Sequence, residues 1–264
     1  MSLTESRQDQ RWTAALAVVV ALGLLLAVVR VALQLATGQR WDDWALSTVF
    51  AGNETRVTLL SALGYVSIGS VIAVAGASVA LALVQGRLRL AIAALSIIVG
   101  ANITTQLLKH SVLSRPDFGF STLNSLPSGH TTVVASGAAA LIMVAPRTMR
   151  VVLIALGGFA VTLTGASTVV AGWHRPSHVI AALAVCLLWT GIAAFILDGD
   201  RRADRGSAVT SIVAAGAAIA FLVALGVRPM FGWAGSLQGG LVLGVVAAAT
   251  AAFVWTVSVI SPTE

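Results

Sequence analysis

Apolar residues fill eight stretches of the chain, and polar residues collect in the connections between them. The stretches run over Thr13–Thr37, Leu59–Val84, Leu88–Leu108, Gly129–Ala145, Val151–Ala171, Val179–Leu197, Ala208–Val227 and Leu241–Ile260. A hydrocarbon core of about 30 Å takes about 20 helical residues to cross, so each stretch is expected to be a membrane-spanning helix. The first, preceded by Arg7 and Arg11 and lacking a small-residue cleavage site, is expected as a retained span and not a removable leader.

Composition agrees with that pattern. Of 264 residues, 58% are hydrophobic and 10% charged, and the mean hydropathy is +0.94, outside the range of water-soluble globular domains. The fold class expected is an all-α integral membrane protein with a six-helix core over 1–198 and an appended two-helix hairpin over 199–264. The polar segment DGDRRADRGS, residues 198–207, marks the seam.

Charge sets an orientation. With the N-terminus inside, the cytoplasmic connections hold Arg7, Arg11, Arg87, Arg89, Arg147, Arg150, Arg201, Arg202 and Arg205. The outer ones hold Arg40, Arg56, Lys109, Arg115, Arg175 and Arg228. The excess of positive residues inside is the bias that cytoplasmic loops carry. A net charge of +6 therefore reads as topology and lipid-headgroup contact, with no nucleic acid as partner. Both termini are expected in the cytoplasm. Trp12, Trp41, Trp44, Trp173 and Trp233 fall near span ends, where amphipathic rings prefer to sit. The single cysteine, Cys186, lies inside a span and makes no internal disulfide.

The chemistry collects on the outer face. His110, His130, His174 and His178, all the histidines of the chain, fall at span ends there, as does Lys109, the one lysine beside fifteen arginines. Ionisable groups at membrane depth are costly and mark candidate functional sites. Asn102, Thr105, Gln106 and Lys109 share one side of the third span; Ser128, Thr131, Thr132 and Ser136 share one side of the fourth; Thr164, Ser167 and Thr168 do so in the fifth. Hydroxyl and amide side chains also join helices within lipid, so these stripes serve packing as readily as a site. Between spans three and four, Pro127 stops the loop, Ser128 can cap the next helix and Gly129 lets a ligand approach backbone N–H groups. A helix start of this kind binds anions. With Lys109, Arg115 and His130 added, the anion expected is a phosphate.

These residues resemble the type 2 phosphatidic acid phosphatase (PAP2) superfamily, whose members include membrane lipid phosphatases, undecaprenyl pyrophosphatases and soluble vanadium haloperoxidases. Its three signature motifs correspond to Lys109 followed by Arg115-Pro116, to Pro127-Ser128-Gly129-His130, and to Ser167 with His174 seven residues later. The resemblance implies that Lys109, Arg115, Ser128, Gly129 and Ser167 hold a phosphoryl group, that His174 is the nucleophile, and that His130 protonates the leaving group. It implies no metal or organic cofactor, and a membrane lipid phosphate or prenyl (pyro)phosphate as substrate on the extracytoplasmic face of the cytoplasmic membrane.

Three departures accompany it. The first motif, K-x6-R-P in the family, is one residue shorter here, a rotation of about 100° on a regular helix. The third, S-R-x5-H-x3-D, has Thr168 for the arginine and His178 for the aspartate that orients the nucleophile. A carboxylate there fixes the tautomer of the nucleophilic histidine and stabilises its developing charge. His178 offers a lone pair without that charge. Arg175 is a candidate replacement for the missing arginine and Asp117 for the missing carboxylate. His174 and His178, four residues apart, also have a metal-pair spacing, with His110 or His130 as further ligands. The departures leave two outcomes open: a phosphatase, or a catalytically degenerate relative that binds a lipid phosphate or supports a membrane assembly without turnover. A transporter fits less well, because the charges gather at one face and not at the midplane.

Overall fold

The computed structural model describes residues 3–120, 124–197 and 205–262. Ten α-helices follow one another among them: α1 (Leu3–Val28), α2 (Ala36–Leu46), α3 (Asn53–Gly64), α4 (Ile68–Val84), α5 (Leu88–Leu107), α6 (Gly129–Val144), α7 (Arg147–Val170), α8 (Pro176–Ile196), α9 (Arg205–Ala224) and α10 (Ser236–Ile260). Short π-helical turns, Val29–Leu33 and Leu108–Val112, extend α1 and α5. Most of the seam segment, residues 198–204 with Arg201 and Arg202, lies outside the described residues.

All eight apolar runs are helical, and six of them form continuous helices long and apolar enough to cross a membrane. This is a multi-pass, all-α membrane architecture. The fourth run gives the 16-residue α6. The second run departs from expectation. Leu59–Val84 is not one continuous helix: α3 and α4 meet at a 54° bend, as in a broken span or a re-entrant loop. Continuous hydropathy hid the break, which Ser67 makes possible. Its side chain caps α4 while its own N–H is taken by Ser70 Oγ at 3.0 Å, so the opened backbone keeps its hydrogen bonds.

The connection after the first span is ordered as well. α2 folds back on the π turn, and a Cβ at Gly38 would lie 1.8 Å from the carbonyl oxygen of Val31, so only glycine allows the approach. Gln39 Nε2 then donates to Leu33 O at 2.8 Å and to Pro116 O at 3.0 Å. Two short strands, β1 (Val49–Ala51) and β2 (Val227–Pro229), pair antiparallel with Phe50 opposite Arg228. They tie the α2–α3 connection to the α9–α10 turn.

Packing centres on α8, which touches α1, α5, α6 and α10. Small residues set these crossings. A Cβ at Gly191 would come within 2.8 Å of Val18 on α1, and one at Gly100 on α5 within 2.4 Å of the Trp189 ring. Close backbone approach of this kind gives helices in lipid their dispersion energy. α9 and α10 pack on α7, and α10 also on α8, so the last two helices share the core of the others.

The two ends of the bundle differ. At one end Gln85 reaches Val144 O, and Arg87 and Arg147 lie within electrostatic range of Arg150. At the other, α2, the loop after α5, the start of α6 and the α7–α8 corner converge. All four histidines lie at that second end.

Candidate active site

The α7–α8 corner is built by its backbone. Gly172 takes φ +78°, its N–H donates to Val169 O at 2.9 Å, and the Trp173 N–H returns to Thr168 O at 3.0 Å. This is the glycine-terminated helix end of the Schellman type. The same Thr168 carbonyl also accepts from the His174 N–H at 3.1 Å, which fixes the candidate nucleophile at the corner. Pro176 then opens α8, where a missing N–H loses nothing.

His178, on the first turn of α8, faces His174: their Nδ1 atoms are 3.4 Å apart. Its main chain is also engaged, since the Ser128 N–H donates to His178 O at 3.0 Å. The start of α6 is thereby joined to the start of α8. Ser128 caps α6 as expected, accepting from the Thr131 N–H at 3.4 Å and from Thr131 Oγ1 at 3.0 Å. His130 lies one residue into the helix, its ring 5.4 Å from that of Trp173 and 6.4 Å from that of His174, centre to centre.

A cleft of about 730 Å³ opens here, and Lys109, Gly129, His130 and His174 line it together with Asn102 and Gln106. Arg115, Ser128, Ser167 and His178 are buried and are not part of its wall. His110 is exposed and also outside it. The polar stripes divide accordingly. Thr105 bonds Thr132 at 3.0 Å and Asn102 bonds Ser136 at 3.2 Å, joining α5 to α6, while Gln106 and Lys109 face the cleft.

Lys109 sits in the π turn that ends α5, and the chain beyond Val112 is extended. The regular-helix rotation drawn from the shortened first motif therefore does not apply. Asn124 clamps this segment, donating to Lys109 O at 3.2 Å and Leu113 O at 2.9 Å. Arg115 is buried, and all three guanidinium nitrogens lack a hydrogen-bond partner among the described residues. Burial first, then Arg175, lowers its pKa, while Asp43 and Asp42 oppose that shift. An unpaired buried cation is a strong demand for an anion.

Two replacements suggested by sequence are not what the structure provides. Asp117 accepts from the Gly119 N–H at 2.9 Å within its own loop. Arg175 is paired with Asp43, Nε to Oδ1 at 2.6 Å. Thr168, at the arginine position of the third motif, donates to Gly165 O at 2.7 Å and is spent inside its own helix. The carboxylates beside the site come from α2. Asp42 accepts from Ser177 Oγ and from the Ser177 N–H, an external cap for α8 that favours a negative charge at the helix start. Sequence reading missed both, because nothing local to Asp42 and Asp43 signals a contact more than 130 residues away. Among the described residues, no group of three or more His, Cys, Asp or Glu side chains is placed to hold a metal ion.

His174 is 6% exposed. Burial, then the charges of Lys109 and His130, push its pKa down to about 3. Its imidazole is therefore neutral at physiological pH, the form that a nucleophile requires.

Fold and site together define a multi-pass helical membrane protein with a cation- and histidine-lined cleft at one end of its bundle. The PAP2 superfamily model matches residues 89–202, the segment that carries α5 to α8 and all three motifs, and this match supports membership of that superfamily. Its members are generally phosphatases, and the match suggests action on phosphate esters. No curated protein and no solved structure matches the chain.

Proposed function

We propose that this protein hydrolyses a lipid phosphate or an isoprenoid (pyro)phosphate, without a metal, through a phosphohistidine on His174. One observation carries the choice of a lipid. The cleft that holds Lys109, His130 and His174 shares Val66, Val71 and Val133 with a second, apolar groove of about 340 Å³ between α4, α6 and α7. A compartment that carries a lysine and two histidines and an apolar one with a common wall suit a molecule with a phosphate head and a hydrocarbon tail.

In the first step His174 Nε2 attacks phosphorus as the bond to the leaving oxygen breaks, and His130 gives that oxygen a proton. In the second, water attacks phosphorus, His130 takes its proton, and the P–N bond breaks to release inorganic phosphate. Lys109 and the first N–H groups of α6 stabilise the phosphoryl oxygens from the cleft wall, and Arg115, buried outside that wall, adds its positive charge, which is most of what phosphoryl transfer requires. Ser128 acts chiefly as the cap that aims those N–H groups, with Ser167 buried on the last turn of α7. His178 orients His174. The end of the bundle that carries Arg87, Arg89, Arg147 and Arg150 is the cytoplasmic one by the positive-inside rule, so the cleft opens on the extracytoplasmic face of the cytoplasmic membrane and both termini are cytoplasmic.

The test is phosphate release from a panel of lipid phosphates and prenyl pyrophosphates, with chelator present, by wild type and His174→Ala. Release that disappears in the variant supports the phosphohistidine. The second reading, binding without turnover, is favoured by the tied-up Thr168 hydroxyl and by the absence of a carboxylate at 178. It predicts no release above the variant's level, with protection by vanadate retained.

A further inference from the structure

Ser125 lies two residues before Pro127 and belongs to none of the three motifs. Its Oγ is 3.0 Å from His178 Nδ1, the same nitrogen that lies 3.4 Å from His174 Nδ1. The other ring nitrogen of His178, Nε2, is buried without a partner among the described residues. One atom of His178 therefore serves two neighbours.

Proton counting makes that arrangement consequential. A neutral imidazole has one N–H and one ring lone pair. With the proton on His178 Nδ1, that nitrogen donates to His174 Nδ1, the His174 proton sits on Nε2, and no lone pair is left to attack phosphorus. With the lone pair on His178 Nδ1, His174 donates from Nδ1 and its Nε2 is free. The imidazole pair alone does not choose between these states. A hydroxyl that donates to His178 Nδ1 does. Because Nδ1 is bonded to Cγ, as a carboxylate oxygen of aspartate is, the selected tautomer also puts an acceptor lone pair where the family's aspartate would have one.

We propose that Ser125 is a positioning residue for phosphoryl transfer: its O–H donates to His178 Nδ1 and holds His178 in the Nε2–H form, so that His178 accepts from His174 Nδ1–H. The assignment rests on the phosphohistidine reading above. Ser125 Oγ–H and His174 Nδ1–H then converge on the one lone pair of His178 Nδ1, with Ser125 the nearer donor at 3.0 Å and His174 the farther at 3.4 Å. When His174 Nε2 bonds to phosphorus its ring becomes cationic, and the Nδ1 proton stays on His174, hydrogen-bonded to His178.

Nitrogen NMR of ¹⁵N-histidine-labelled protein in detergent tests this without any substrate. His178 is expected with Nδ1 unprotonated and Nε2 protonated, and Ser125→Ala is expected to mix the two tautomers. In phosphate-release assays Ser125→Ala should lower kcat about tenfold, the worth of one good hydrogen bond, with KM unchanged, and Ser125→Thr should restore it. In a His178→Asp background the same Ser125→Ala change should have a much smaller effect, because a carboxylate has no tautomer to select. A protonated Nδ1 on His178 in the wild type overturns the assignment, as does an equal loss of kcat in both backgrounds. If no substrate is hydrolysed by the wild type, the phosphohistidine reading falls and with it the part of Ser125 in phosphoryl transfer, while the nitrogen shifts still decide whether Ser125 sets the tautomer of His178.

Discussion

His174 and His178 present the same ring nitrogen, Nδ1, to each other at 3.4 Å. One hydrogen fits between them, so the pair works only when one ring donates and the other accepts. An acceptor imidazole orients the nucleophile but brings no negative charge to balance the cation that forms during attack.

Replacing His178 by aspartate should therefore accelerate the reaction. Lys109, Arg115 and Arg175 all lie near enough for their charge to be felt at position 178, and they would hold a carboxylate ionised. Removing the charge of the orienting group in a serine-protease triad costs about 10⁴ in turnover. Regaining it here is expected to raise kcat by at least about tenfold, measured as phosphate release at saturating substrate. A slower His178→Asp protein would mean that the pocket is built for an imidazole.

The depressed pKa of His174 sets a pH dependence of stability. Its folded value, about 3, lies below the ordinary 6.5, so between these values the unfolded chain binds the extra proton. The stability contributed by neutral His174 is complete above pH 6.5 and declines as pH falls toward 3, with a slope of at most about 1.4 kcal/mol per pH unit. Unfolding of wild type and His174→Gln at pH 7 and pH 4.5 checks this: the variant should lose less on acidification.

Asp42 has the opposite sign. Burial raises its pKa above the ordinary 3.8, more than its hydrogen bonds from Ser177 lower it. A carboxyl that binds its proton more tightly when folded adds stability below 3.8, and that contribution is lost as pH rises through the folded value. At neutral pH the charge is a burden while the acceptor oxygens are useful. Asp42→Asn is thus expected to leave the unfolding midpoint at pH 7 unchanged or raised. Asp42→Ala, which strands the Ser177 N–H and hydroxyl, should destabilise by about 1–3 kcal/mol.

What the sequence revealed and what it hid divide by range. Periodicity and hydropathy located all eight apolar helical runs, six of which form continuous helices long enough to cross a membrane, and the start of α6 could be read from Pro127, Ser128 and Gly129, because a cap is a local device. The Ser67–Ser70 capping box was equally local, yet it lay inside an uninterrupted apolar run and its signal was outweighed. α2 was passed over because its alternation of polar and apolar residues is short and its partners are remote: Asp43 meets Arg175 across 132 residues, Asp42 meets Ser177 across 135, and Gln39 meets Pro116 across 77. Such contacts are made only when the bundle closes. Ser125 escaped notice for a related reason, since its significance depends on a nitrogen supplied by a different helix.

The apolar groove gives the prediction that most directly separates lipid from soluble substrates. Ala160 on α7 lines it beside Leu156 and Gly157, across from Val134 and Leu141 of α6. Filling it with Ala160→Leu should leave the cleft of Lys109, His130 and His174 intact, because Ala160 is not part of that wall. A tail that leaves the bilayer for the groove exchanges one apolar surrounding for another, so the groove contributes fit and not a hydrophobic driving force. Misfit by a few methylenes in a shaped apolar pocket is nevertheless worth about tenfold or more in kcat/KM. The expected result is such a loss for long-chain lipid phosphates with no change for a short, water-soluble phosphate ester. An equal loss for both substrates would mean that the side chain disturbs the helices, and no loss for either would mean that the tail lies elsewhere along the bundle.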